Sequence, residues 1–110
     1  LKAANVKNAW RLLEMIFSRE YSKLKKMEFT TIRKNSGYYY EGKLVKIQTP
    51  TLIFHARVKT ILPINKAAIT EELAQSDADM TRDELLKQLE EWYGASFDNF
   101  ILIHLTKEAA

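Results

Sequence analysis

The sequence predicts a small α+β domain, a mixed β-barrel flanked by helices. Three observations carry that prediction. The chain has 110 residues, enough for one domain over residues 1–110 and too few for two ordinary ones. Hydrophobic residues make up 46% and charged residues 28%, the balance of a folded chain rather than a disordered one. Apolar patterns of helical and strand period then follow in the order helix, three strands, two helices, strand. Helices in two blocks around mostly antiparallel strands define the class.

Residues 5–24 read as a helix, because Val6, Trp10, Leu13, Phe17, Tyr21 and Leu24 recur at three- and four-residue spacing. Leu12, Met15 and Ile16 widen this stripe, and Lys23 falls outside it. The charged stretch 22–28 ends the helix. Residues 29–33 have strand character, with Phe29, Thr31 and Arg33 on one face and Thr30 and Ile32 on the other. Asn35-Ser36-Gly37 and Glu41-Gly42 are turn chemistry on either side of Tyr38, Tyr39 and Tyr40. Residues 43–49 alternate with Val45 and Ile47 inward, and Pro50 breaks the run.

Residues 51–62 form the next strand. Leu52, Phe54, Ala56 and Val58 line one face; His55, Arg57 and Lys59 line the other, beside Ile53 and Ile61. Pro63 is expected to end it. Residues 69–76 read as a short helix with Glu71 and Glu72 near its start. Residues 81–93 read as a helix opened by a Thr81/Glu84 capping box, with Leu85, Leu86, Leu89 and Trp92 on its apolar face and Gly94 at its C-terminal cap. Residues 100–106 close the chain as a strand.

Several classes of chemistry are excluded at once. The chain has no cysteine, which removes a disulfide scaffold, a cysteine zinc site and a cysteine nucleophile. That absence fits a reducing interior, and a cytoplasmic place is expected. No apolar run approaches the ~20 residues of a membrane span, so no membrane partner is expected. No signal-peptide pattern opens the chain at Leu1. There is no glycine-rich phosphate loop, no paired-histidine motif and no nucleophile elbow. His55 and His104 sit on separate strands, so neither a metal nor a cofactor is expected. Asp77 and Asp79 offer carboxylates to a hard cation, but more readily mark the approach to the Thr81 helix, where negative charge meets the helix dipole.

Charge is distributed unevenly. The chain carries +3 in all, with +10 over residues 1–68 and −7 over residues 69–110. This suits a basic surface for a polyanion; it equally suits solvated elements of opposite charge. The basic half contains one more specific segment. Thr31 and Arg33 share a strand face, with Lys25, Lys26, Lys34, Tyr38 and Tyr39 close in sequence and Arg57 and Lys59 on a later strand. Arginine offers a planar fork to phosphate or a base edge, and tyrosine offers a stacking face. Basic residues interleaved with aromatics suit a nucleic-acid site, although ordinary tyrosine packing on a barrel strand produces the same composition.

The string from Thr30 through Arg33, Gly37 and Tyr39, then Glu41-Gly42-Lys43-Leu44-Val45-Lys46-Ile47, resembles an ASCH domain. Ile69-Thr70-Glu71-Glu72, Asp83-Glu84-Leu85-Leu86, Trp92-Tyr93-Gly94 and residues 97–103 follow in the order of that family. The resemblance runs from about Leu12 onward. It implies a PUA-like fold, a small β-barrel with flanking helices, and it implies binding of RNA or hydrolysis of 4-acetylcytidine. The family motif Gly-x-Lys-x-x-(Glu/Thr)-x-Arg places its threonine variant at Thr31 and its arginine at Arg33. The lysine position in register is Glu28 and the glycine position is Lys26. The joint over residues 19–29 is longer than the family's, and an inserted turn would let Lys25 or Lys26 reach the lysine's place. By this resemblance Thr31 is the nucleophile, Lys26 the lysine and Asp77 the acid of an amidohydrolase site.

Three functions follow as expectations. The first is an RNA- or modified-nucleoside-binding domain with a basic cleft around Thr31 and Arg33, served by Lys25, Lys34, Tyr38, Tyr39, Arg57 and Lys59. The second is an amidohydrolase acting on N-acylated cytosine nucleosides. The third is a structural or partner-binding domain. A lysine beside Thr31 in the fold would favour the enzyme.

Overall fold

Between Leu13 and Phe17 the apolar residues fit two periods at once. In the computed structural model, which describes residues 13–108, the two-residue period prevails. Residues 5–12 of the expected helix lie outside the described residues. Residues 13–16 are not helical but form strand β1 (Leu13–Ile16). Met15 and Phe17 are buried while Ile16 between them is 60% exposed, the alternation of a strand rather than the stripe of a helix. Residues 22–25 close into a 3-10 turn that buries Lys23 and Leu24. Of the expected stripe, Met15, Phe17, Tyr21 and Leu24 are core, but they sit on β1 and around the 3-10 turn rather than on a helix.

Strand β2 (Glu28–Lys34) keeps the expected alternation and buries Phe29 and Thr31 on one face. Ile32 on the other face is buried as well. Strand β3 (Leu44–Gln48) turns Val45 and Ile47 inward as expected. Strand β4 runs Ile53–Ile64 and so continues through Pro63. The proline is tolerated for a reason of pairing. β3 pairs β4 over Ile53–Arg57, so near Pro63 the neighbouring strand is β5 on one side, and a residue lacking an N–H can face the open side. A register shift between Val58 and Thr60 inserts a bulge at Lys59. Beyond it the alternation flips, and Ile61, expected beside the exposed cations, packs against the core. Leu52 lies outside the strand and is exposed.

Helix α1 spans Glu71–Ala78, later than expected, because the Thr70 hydroxyl caps it by accepting from the Leu73 N–H. Helix α2 (Arg82–Tyr93) opens on the Thr81/Glu84 capping box, with both reciprocal bonds present. It ends at Gly94, whose φ of 95° suits a residue without a Cβ. Leu85 and Leu89 are buried. Trp92, expected on that apolar face, is 55% exposed. Strand β5 (Phe100–Lys107) is the last element of the described residues.

The strands form one sheet in the order β1-β3-β4-β5-β2. β1 pairs β3 in parallel, and the other three pairings are antiparallel. The sheet is a curled half-barrel accompanied by two helices, a mixed α+β architecture. β1 and β2 are its two edges. Arg33 joins them: its guanidinium donates from Nη2 to the Ile16 carbonyl at 3.3 Å and lies 4.9 Å above the Phe17 ring. No helix among the described residues is long and apolar enough to cross a membrane.

Candidate functional site

The seam between β1 and β2 holds a cavity of about 380 Å3, a size usual for small-molecule sites. One wall carries charge and hydroxyl: Lys23 from the 3-10 turn, Thr31 and Arg33 from β2, and Asp77 from α1. Leu85, Gln88, Leu89 and Trp92 of α2 line it as well and are mostly apolar. Ile16 and Trp92 are more than half exposed and stand where the cavity meets solvent.

Lys23 and Asp77 are each only 4% exposed, and their Nζ and Oδ1 lie 3.3 Å apart. Thr30 donates to the same carboxylate oxygen at 2.8 Å. Burial lowers the Lys23 pKa below the ordinary lysine value, and the facing Asp77 carboxylate opposes that shift. Burial likewise raises the Asp77 pKa, opposed by Lys23 and by the Thr30 hydroxyl. The geometry is that of an ion pair, while desolvation presses each partner toward its neutral form. The Lys23 ammonium also lies 5.1 Å from the Phe17 ring centroid, so Phe17 meets cations from both Lys23 and Arg33.

Thr31 is 3% exposed, and its Oγ1 accepts from Arg33 Nε at 3.1 Å. A hydroxyl that accepts still has its own proton to donate. Arg33 thus has two structural partners, Thr31 and the Ile16 carbonyl, besides facing the cavity.

Consecutive residues at the end of α1 fix the segment that carries Lys23. The Ala78 carbonyl accepts from Arg19 Nη2 at 2.7 Å. The Asp79 carboxylate accepts from the Ser22 N–H at 2.8 Å and from its hydroxyl. Asp79 adopts a left-handed φ of 56°, a conformation that aspartate enters more readily than most residues. Asp77 and Asp79 therefore do more than approach the next helix: one is buried in the cavity and the other clasps the turn that brings Lys23 there. On its other side this segment is tied to the β3–β4 turn, where Glu20 Oε1 accepts from the hydroxyls of Thr49 and Thr51 at 2.6 and 2.8 Å.

Of the residues singled out in the sequence, Thr31, Arg33 and Asp77 meet in this cavity. Lys26 does not line it; it caps the 3-10 turn and is exposed, as is Lys25. Lys34 is exposed with its ammonium 5.8 Å from the Phe97 ring. Tyr38 is exposed and Tyr39 half-buried, its pKa raised by that burial. Arg57 and Lys59 lie on the exposed side of β4, paired with Glu108 at 2.8 Å and Glu28 at 3.3 Å. Sequence reasoning missed Lys23. Its one available signal was its place between two apolar residues, Tyr21 and Leu24, that are themselves core. No family model, curated protein or solved structure matches the chain.

Proposed function

We propose that the cavity binds a modified nucleoside or a single unstacked RNA base, on a PUA-like fold of the ASCH kind. The observation that carries this reading is the meeting of Lys23, Thr31, Arg33 and Asp77 in one cavity with the largely apolar lining from α2. An apolar lining suits the faces of a heteroaromatic ring, and convergent donors suit its oxygens. The cavity admits one base rather than a stacked duplex, so RNA would enter with that base turned out. Titration of the protein with 4-acetylcytidine, cytidine and short single-stranded RNA tests the reading. Binding should weaken sharply in Arg33→Ala, and the RNA component should fall with added salt. Absence of binding to all three at low salt would falsify it.

A second reading is favoured by the position of Lys23. Amide hydrolysis of an N-acylated cytosine needs a nucleophile, a base and an acid. The Lys23–Asp77 pair lines the same cavity as Thr31 and would take the proton of its hydroxyl. The Thr31 oxygen would then bond to the acyl carbon, the carbon–nitrogen bond would break, and the proton would pass from Lys23 to the departing nitrogen. Water would cleave the resulting ester, returning the threonine and releasing the carboxylic acid. Arg33 supplies positive charge beside the developing oxyanion, and Asp77 holds Lys23 in place. Incubation with 4-acetylcytidine and measurement of released cytidine separates this reading from simple binding. Turnover lost in Thr31→Ala supports the enzyme; binding without turnover leaves the binding site alone.

A further inference from the structure

The charged side of the cavity explains where an oxygen or acyl group would rest, but it does not say how one ring would be told from another. The α2 lining carries the groups able to do so. Gln88 and Trp92 both line the cavity. They are four residues apart on the helix and so face the same way. Trp92 is 55% exposed, unlike the core residues Leu85 and Leu89 beside it. It makes an edge contact with Tyr93 at 6.5 Å and an interplanar angle of 85°, a geometry that does not stack a second ring on the indole face. Gln88 is half-buried, and no protein group among the described residues bonds to its amide. An amide so placed retains an acceptor and a donor for a ligand. It is also the one side-chain amide among the described residues lining a cavity whose charged side chains are Lys23, Arg33 and Asp77.

We propose that Gln88 reads the donor–acceptor edge of a pyrimidine base in this cavity while Trp92 supplies its stacking face. The inference rests on the nucleoside reading above and deepens it. A cytosine offers an exocyclic N–H donor beside a ring nitrogen acceptor. The glutamine oxygen accepts from the first, and its NH2 donates to the second. A single N4-acyl group leaves one N–H on that nitrogen, so the same edge serves the acylated and the deacylated base. The acyl oxygen is then directed to the charged wall. Gln88 and Trp92 act as specificity-determining residues, apart from Thr31 and Lys23 on the charged wall.

The test is calorimetric titration of the wild type, Gln88→Leu and Gln88→Glu with cytidine and with 4-acetylcytidine. A Trp10→Phe background leaves Trp92 as the sole indole, and its emission is read in the same titrations. Gln88→Leu should weaken binding tenfold or more without lowering the thermal midpoint, because leucine replaces an amide that bonds to no protein group among the described residues. Gln88→Glu should weaken it at least as much at neutral pH, since its carboxylate offers no donor to the ring nitrogen. Trp92 emission should be quenched on binding. Wild-type binding that Gln88→Leu changes by less than twofold, or binding that leaves Trp92 emission unmoved, would overturn this inference and leave the nucleoside reading standing. Failure of the wild type to bind either nucleoside would overturn that reading, and this inference with it.

Discussion

Lys23 and Arg33 are gathered around a cavity, whereas Arg57 and Lys59 project from the exposed side of β4. All four belong to the basic half of the chain, yet their surroundings differ in kind. Lys23 is buried against a carboxylate and two aromatic rings. Arg33 ties together two edge strands. Arg57 and Lys59 make ion pairs whose side chains are about half exposed, where water screens them. The contrast teaches that position, not abundance, decides what a cation does. A run of lysines in the sequence measures solvation; one lysine enclosed beside a carboxylate marks a candidate site.

The largest expected effect follows from breaking the buried pair. Asp77→Ala leaves Lys23 enclosed without its counter-charge and should cost about 3–5 kcal/mol in urea unfolding. Replacing both, as Lys23→Met with Asp77→Leu, should recover much of that loss while abolishing ligand binding. If Asp77→Ala proves no more costly than Arg57→Ala, the distinction between the two sets of cations collapses.

Arg33→Ala comes next. It removes hydrogen bonds to Thr31 and to the Ile16 carbonyl, each made by a charged donor, and should destabilise by about 1.5–3 kcal/mol. Arg33 also faces the cavity, so the strap between β1 and β2 makes a loss of stability and a loss of ligand binding both expected. Arg33→Lys should keep the charge but not the two-point geometry, which amide exchange in β1 would report.

Acid sharpens the comparison. Glu20, Asp79 and Glu84 are each held below their ordinary values by hydrogen bonds, from Thr49 and Thr51, from Ser22 and from Thr81 respectively. A carboxyl whose pKa is lowered by folding contributes stability above its unfolded value and loses it as pH falls through the folded one. The thermal midpoint should therefore decline below pH 4.5 for the glutamates and 3.8 for the aspartate. Thr51→Val should flatten part of the Glu20 contribution in a midpoint-against-pH series. The smallest effect belongs to Arg57→Ala, expected within about 0–1 kcal/mol and without influence on nucleoside affinity; a tenfold loss of affinity there would extend the site onto β4.

Local signals were legible where one residue dictates one conformation. Thr81 with Glu84, Gly94 after Tyr93, and the alternation through Val45 and Ile47 all appear in the structure as the sequence predicts. Thr31 and Arg33 were singled out because they share a face of one strand, and Asp77 by resemblance; the structure brings the three to one cavity. Lys23 was not, because its burial depends on contacts with residues 77–79, more than fifty positions away. Residues 13–17 were misread because their apolar pattern satisfies either period, and pairing with β3 settles it. Pro63 was misread because its tolerance depends on where β3 stops. Gln88 carries no sequence signal at all; only the cavity singles it out.

The order of strands in space also bears on how the molecule is made. β5 lies between β4 and β2, and its residues 100–106 pair with 34–28. While a ribosome is still producing the helices, β2 has no strand to bind, and one wall of the cavity is loose chain. Domains generally complete as units during synthesis at ~5–20 residues per second, so β2 waits several seconds for its partner. Through that interval the exposed run from Phe29 to Ile32 is open to pairing with another nascent copy. The cavity wall carried by β2 is thus held in place only once the strand Phe100–Lys107 has entered between β4 and β2.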